Sequence, residues 1–144
     1  ILKVGPQLTY ALREGLFALS YIEDQLVEAA KRSNLRDVCE RIMLDKPHYW
    51  NKFYPTQGAE AKLFRAYSYS DRIRYYWPED EIKQTVETLF ANLEGQIIPQ
   101  TLLSQFMPAQ YKALINGQIN SSPRELVINK IMEVTNTYSR ACNQ

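Results

Sequence analysis

The chain has 144 residues, with 17 Lys+Arg against 16 Asp+Glu and a formal net charge of +1. That length suits one domain with its own core and is short for an enzyme with separate substrate and cofactor halves. The near-neutral balance excludes a long-range field toward nucleic acid or an anionic membrane, so any anion site must be local.

Residues 1–4 read ILKV, a β-rich run punctuated by Gly5-Pro6, and the lack of an initiator Met there suggests a cut through a longer chain. Leu8, Leu12, Leu16, Leu19, Ile22 and Leu26 then recur at three- and four-residue steps, the stripe of a long helix. The expectation is a strand, a tight turn and a helix. A lone strand needs neighbours upstream or in a partner chain.

Residues 35–44 read as a helix stopped ahead of Pro47, and Trp50, Phe53 and Tyr54 share one face of a short helical piece closed by Pro55. Residues 56–59 read as a loop. Pro78 suits the first turn of a helix and Glu79, Asp80 and Glu81 its positive end. Ile82, Val86, Leu89, Phe90 and Leu93 form that helix's buried stripe, and Gly95 stops it. Pro99 opens another helix through Leu102, Leu103 and Phe106; Pro108 interrupts it, and Tyr111, Leu114 and Ile115 continue it to Gly117. Ser122-Pro123-Arg124-Glu125 reads as a capping box ahead of a stripe of Val127, Ile131, Val134 and Tyr138. Without internal repeats, residues 31–144 read as an irregular helical bundle.

The chemistry these residues allow is narrow. His48 is the only histidine, so no three-His metal site can form, and it reads as a structural residue. Cys39 and Cys142 lack a metal-ligand spacing and fit reduced, mostly buried thiols of a cytoplasmic protein. No apolar run approaches the ~20 residues of a membrane-spanning helix. The glycines at 5, 15, 58, 95 and 117 form neither GxxxxGK[ST] nor GxGxxG, and no nucleophile elbow appears. Gly5-Pro6, between strand and helix, could hold a phosphate on backbone donors with Lys3 as its charge, although a strand-to-helix turn often needs a glycine anyway.

The densest feature is SYSDRIRYYWP at residues 68–78. Ser70 or Asp71 would cap a helix that buries Ile73, Tyr76 and Trp77 at i, i+3 and i+4. Arg72 and Arg74, with Lys62 and Arg65 shortly before, would offer forked donors to a phosphate or carboxylate. Single-strand nucleic acid is a third reading of Arg among aromatics, and the absence of a basic excess argues against it.

ILKVGP followed by LTYALRE, then MLDKP with Tyr49-Trp50, YSDRIRYYWP, and Ile98-Pro99 with LSQF together resemble one family. It is the GatZ/KbaZ family, the Z-type non-catalytic subunit of bacterial class II D-tagatose-1,6-bisphosphate aldolase. The resemblance covers nearly the whole chain but only the C-terminal third of family members. It implies an upstream (β/α)8 barrel of TIM type, with residues 1–30 as its final strand and helix and residues 31–144 as an appended helical domain.

The resemblance further implies support of a catalytic, zinc-dependent Y-type partner in galactitol and N-acetylgalactosamine breakdown, with no metal or other cofactor in this chain. An older family label, tagatose-6-phosphate kinase, leaves open a lid or substrate-binding part of a sugar-phosphate kinase or aldolase. Under either reading a sugar phosphate is an expected ligand, of Arg72 or Arg74 together with Lys3. Where catalytic class II aldolases place Lys, an apolar residue and Asn, this chain has Lys3-Val4-Gly5, so the amide is lost.

Overall fold

The computed structural model describes residues 5–55 and 57–142. The strand expected at residues 1–4, and Lys3 with it, lie outside them. Seven α-helices occur among the described residues, with no strand: α1 (Gly5–Leu26), α2 (Leu35–Asp45), α3 (Gly58–Tyr67), α4 (Asp80–Glu94), α5 (Gln100–Phe106), α6 (Pro108–Ile115) and α7 (Pro123–Cys142). Short 3-10 turns at Ala29–Lys31, Pro47–Tyr49 and Arg72–Tyr75 join them. The mainly helical expectation therefore holds.

Helix α1 is central, lying along α7 and also touching α4, α5 and α2. Its expected stripe supplies Leu16, Leu19 and Ile22 to a core completed by Leu35 and Met43 of α2, Ile82, Leu89 and Leu93 of α4, Leu103 of α5 and Leu126 of α7. Leu8, Leu12 and Leu26 of the same stripe are only half-buried. Helix α1 starts at Gly5, so Gly5-Pro6 belongs to its first turn rather than to a separate turn. Proline is tolerated there because the first amides of a helix lack intrahelical acceptors.

Several local expectations need correction. Helix α3 begins at Gly58, inside the loop expected at residues 56–59, and runs to Tyr67. Its apolar side chains Leu63 and Phe64 are exposed, and only Ala61 and Arg65 are buried. Between α2 and α3 the chain makes a 3-10 turn and bends, burying Trp50 and Tyr54 but leaving Phe53 59% exposed. The Trp50 indole N–H donates to the Met43 carbonyl at 2.6 Å. Pro78 precedes α4, whose first residue is Asp80 after Glu79.

Breaks at Pro108 and Gly117 occur as expected. Gly117 has φ +73, a conformation in which a side chain would be strained, and it closes α6. The capping box forms in part: Ser122 Oγ accepts the Glu125 N–H at 3.2 Å. The Glu125 carboxylate, however, accepts from Asn120 N–H at 2.9 Å, while Ser122 N–H donates to Asn120 Oδ1. On α7, Val127 is buried, Ile131 and Val134 are half-buried, and the side chain of residue 138 lies outside the described set. Cys39 is buried but Cys142 is exposed, so only one of the two thiols follows the buried expectation.

Candidate functional site: a two-faced turn at residues 68–78

Residues 68–78 link α3 to α4. Ser68 ends α3 in extended backbone, and its Oγ accepts the Ser70 N–H at 3.1 Å. The chain then makes the tight 3-10 turn Arg72–Tyr75, in place of the longer helix that spacing suggested.

The inner face is a folding device. Ile73 and Tyr76 are fully buried, and the Tyr76 hydroxyl donates to the Lys46 carbonyl. Trp77 is only half-buried against the core. Tyr54 pins the turn twice, donating its hydroxyl to the Ser70 carbonyl and accepting the Arg72 N–H at 2.9 Å. Asp71 does occupy the residue before the turn, but neither it nor Ser70 makes a capping side-chain bond.

Asp71 points instead at Arg13 of α1, with Oδ1 3.7 Å from Nε and both side chains almost fully buried. The contact is too long for a hydrogen bond, and Asp71 Oδ2, Arg13 Nε and Arg13 Nη2 find no partner among the described residues. Burial pushes the Asp71 carboxyl up to about 6, although Arg13 and Arg74 pull it the other way. The Arg13 guanidinium lies 4.4 Å from the Tyr10 ring centre, 5.8 Å from Tyr67 and 6.0 Å from Phe17. Tyr10 in turn stacks on exposed Tyr69 at 5.3 Å.

The outer face carries Arg72, Arg74 and Tyr75. The Arg72 guanidinium sits 3.5 Å over the Phe53 ring and 5.7 Å from the Tyr75 ring. Arg74 lies 5.0 Å over the same Tyr75 ring, and its Nη2 donates to the Tyr75 hydroxyl at 3.1 Å. That hydrogen bond and the Arg74 charge, helped by Arg72, lower the Tyr75 pKa. Tyr75 stacks on Tyr49 at 5.1 Å, and His48 tilts against Tyr49 at 4.1 Å.

The structure therefore brings Arg72 and Arg74 together and separates Arg65 from them. Arg65 turns inward, where Nε lies 3.0 Å from both Glu40 carboxylate oxygens and the guanidinium covers Trp50 at 4.8 Å. Lys62 lines a cleft of about 430 Å³ between α2 and α3, floored by Phe17, Cys39, Met43 and Ile73. Burial pushes the Cys39 thiol up to about 12, so it supplies no thiolate to that cleft near neutral pH. Among the described residues no cluster of three or more His, Cys, Asp or Glu could hold a metal ion. No helix among them is long and apolar enough to cross a membrane.

A sequence model of the D-tagatose-1,6-bisphosphate aldolase subunit GatZ/KbaZ-like family matches residues 1–143. The chain belongs to the GatZ/KbaZ-like family. It is also similar to a crystal structure described as a "probable tagatose 6 phosphate kinase" from Sinorhizobium meliloti 1021, with a TM-score of 0.89 and 39% identity. The match covers 95% of the GatZ/KbaZ-like chain and 35% of the other, so the chain spans about a third of that protein's length.

Two buried polar arrangements in this GatZ/KbaZ-like chain, one at the site and one beyond it, give little local signal in the sequence. Tyr10, Arg13 and Phe17 share one face of α1 at i, i+3 and i+7, and that spacing was the available signal for a polar residue inside the apolar stripe. Glu23 is fully buried and accepts from Ser33 N–H at 3.0 Å, Ser33 Oγ at 2.7 Å and Asn92 Nδ2 at 2.9 Å. It ties α1 to α4 and to the link before α2, partners that local spacing could not identify.

Proposed function

We propose that this chain is the helical region of an accessory subunit that supports the activity and stability of a catalytic Y-type subunit of D-tagatose-1,6-bisphosphate aldolase. The observation that carries this reading is the family match over residues 1–143. The pathway would be galactitol or N-acetylgalactosamine catabolism in the cytoplasm of a bacterium. Zinc would reside in the catalytic partner.

In this reading residues 1–30 complete an upstream barrel of TIM type and residues 31–144 form the appended helical domain. Helix α1 would then serve both bodies, as the last barrel helix and as the element that α7, α4, α5 and α2 surround. The strongly shifted buried groups also suit structural duty. Cys39 is kept as a thiol by burial, and Asp71 faces the buried Arg13.

The test is reconstitution. The intact protein and a version lacking residues 31–144 are each co-purified with the catalytic subunit, and aldolase rate and thermal half-life are measured. The full protein is expected to raise both, and unchanged rate and half-life after the deletion would overturn the reading.

A second reading takes the chain as a lid or substrate-binding part of a tagatose-6-phosphate kinase or an aldolase. The description of the Sinorhizobium meliloti structure favours it. Phosphoryl transfer from ATP to tagatose 6-phosphate by the purified intact protein would select it over the accessory role.

A further inference from the structure

We propose that Arg72, Arg74 and Tyr75 form a binding site for the dianionic phosphate group of a phosphate monoester. Two guanidiniums converge on one phenol ring, at 5.7 and 5.0 Å, and Arg74 already donates to its hydroxyl. Among the described residues neither arginine has a carboxylate within the 4.0 Å of an ion pair, whereas Arg13, Arg32, Arg36, Arg41, Arg65 and Arg124 all do. Like charges near one ring, with no carboxylate in ion-pair contact, repel, and a dianion between them offsets that cost.

The donors are held in place before any ligand arrives. Arg72 is stacked on Phe53, its backbone N–H is fixed by Tyr54, and Arg74 is stacked on Tyr75. Arg72 Nε is buried with no acceptor among the described residues, as is Trp77 Nε1 in the same turn. The Tyr75 hydroxyl accepts from Arg74 and keeps its own proton to donate, and the two cations that lower its pKa make it a stronger donor. Two planar forks and one hydroxyl match the several oxygens of a phosphate better than the two of a carboxylate.

The surroundings limit the rest of the ligand. Tyr75, Tyr49 and Phe53 are 39%, 40% and 59% exposed, so apolar ring surface borders the arginines where a small carbon skeleton would lie beside the phosphate. The net charge of +1 offers no basic track for a nucleic-acid backbone. That the skeleton is a sugar rests on the proposed function; the phosphate rests on the arginines alone.

The test titrates the intact protein by calorimetry with inorganic phosphate, tagatose 1,6-bisphosphate and unphosphorylated tagatose. Both phosphates should bind saturably, the bisphosphate more tightly, and tagatose should not bind. Arg72→Ala and Arg74→Ala should each weaken phosphate binding at least about tenfold, with Arg74→Lys in between. Saturating phosphate should raise a phenol pKa followed by ultraviolet absorbance, and Tyr75→Phe should abolish that change.

Absence of saturable phosphate binding by the wild-type protein overturns the site whether or not the variants fold. So does binding that the arginine variants leave unchanged. Binding of inorganic phosphate at these arginines with no gain from the sugar keeps the site and removes its sugar-phosphate role. Stimulation of the aldolase without any phosphate binding removes the site and keeps the accessory function.

Discussion

Between α1, α4 and α7 the fully buried side chains are mostly hydrocarbon: Leu19, Ile22, Leu89, Leu93 and Leu126 each show no more than 1% exposure, with Glu23, bonded to Asn92, the charged exception. In the shoulder built from α3 and residues 68–78, Arg65 and Asp71 are buried, and Leu63 and Phe64 face outward. The first region is stabilised by area removed from water, which is non-directional and repeats at helical spacing. The second is held by directed contacts: Arg65 to Glu40, Tyr54 to the turn backbone, and guanidiniums on rings. A region of the second kind can keep charged groups in defined positions at a surface, which is what a binding face requires.

The largest expected effect separates the two regions by truncation. Leu89→Ala in the core should lower unfolding free energy by ~2–5 kcal/mol, through lost transfer and a residual cavity. Leu63→Ala, 58% exposed in the shoulder, should stay within about 0.5 kcal/mol. Urea denaturation of both variants checks this, and equal losses would mean that the shoulder is a second hydrophobic core.

Asp71 gives the shoulder a pH dependence of its own. Its carboxyl is raised from 3.8 to about 6, so the folded chain holds this proton more tightly than the unfolded one. The contribution to stability is therefore full below the unfolded value and is lost as pH rises through about 6. Its ceiling is ~3 kcal/mol for a shift of this size. As pH rises through that window, the denaturation midpoint of wild type should fall relative to that of Asp71→Asn, whose amide does not titrate. Parallel curves would show that Asp71 does not titrate there.

The Arg65–Glu40 pair tests whether the shoulder rests on direction or only on contact. The Arg65 side chain is 7% exposed and Glu40 19%, so removing the arginine leaves a poorly solvated carboxylate, at a cost of about 2 kcal/mol. A double-mutant cycle of Arg65→Met and Glu40→Gln should show coupling above about 0.5 kcal/mol. Additive losses would reduce the pair to packing against Trp50.

How far the sequence could be read follows the same division. Leu16, Leu19 and Ile22, or Ile82, Leu89 and Leu93, repeat at helical steps because one face of each helix is buried, so those helices and their inner sides were legible. Helix α3 was not, since Leu63, Phe64 and Tyr67 are all exposed and its buried positions are Ala61 and Arg65. Arg72 and Arg74 stood out in the sequence as candidate anion ligands. Their separation from Arg65, and the pairing of Asp71 with Arg13, depend on contacts between distant parts of the chain that no local spacing encodes.

The smallest prediction compares two serines with the same expected role. Ser70 and Ser122 each precede a run that looks helical, and each was a candidate cap. Ser122 Oγ accepts the Glu125 N–H of α7, where a long helix leaves orphan amides to satisfy, so Ser122→Ala should cost ~1 kcal/mol. The Ser70 side chain is exposed and makes no hydrogen bond among the described residues, while Tyr54 holds its carbonyl and takes the next available amide, that of Arg72. Ser70→Ala should therefore be silent within error in thermal denaturation. Tyr54→Phe, which removes both bonds to the turn, should instead reproduce and exceed the Ser122 loss. A measurable cost at Ser70 would mean that the turn relies on its own side chains, and a silent Tyr54→Phe would mean that the tyrosine ring, not its hydroxyl, sets the path of the chain.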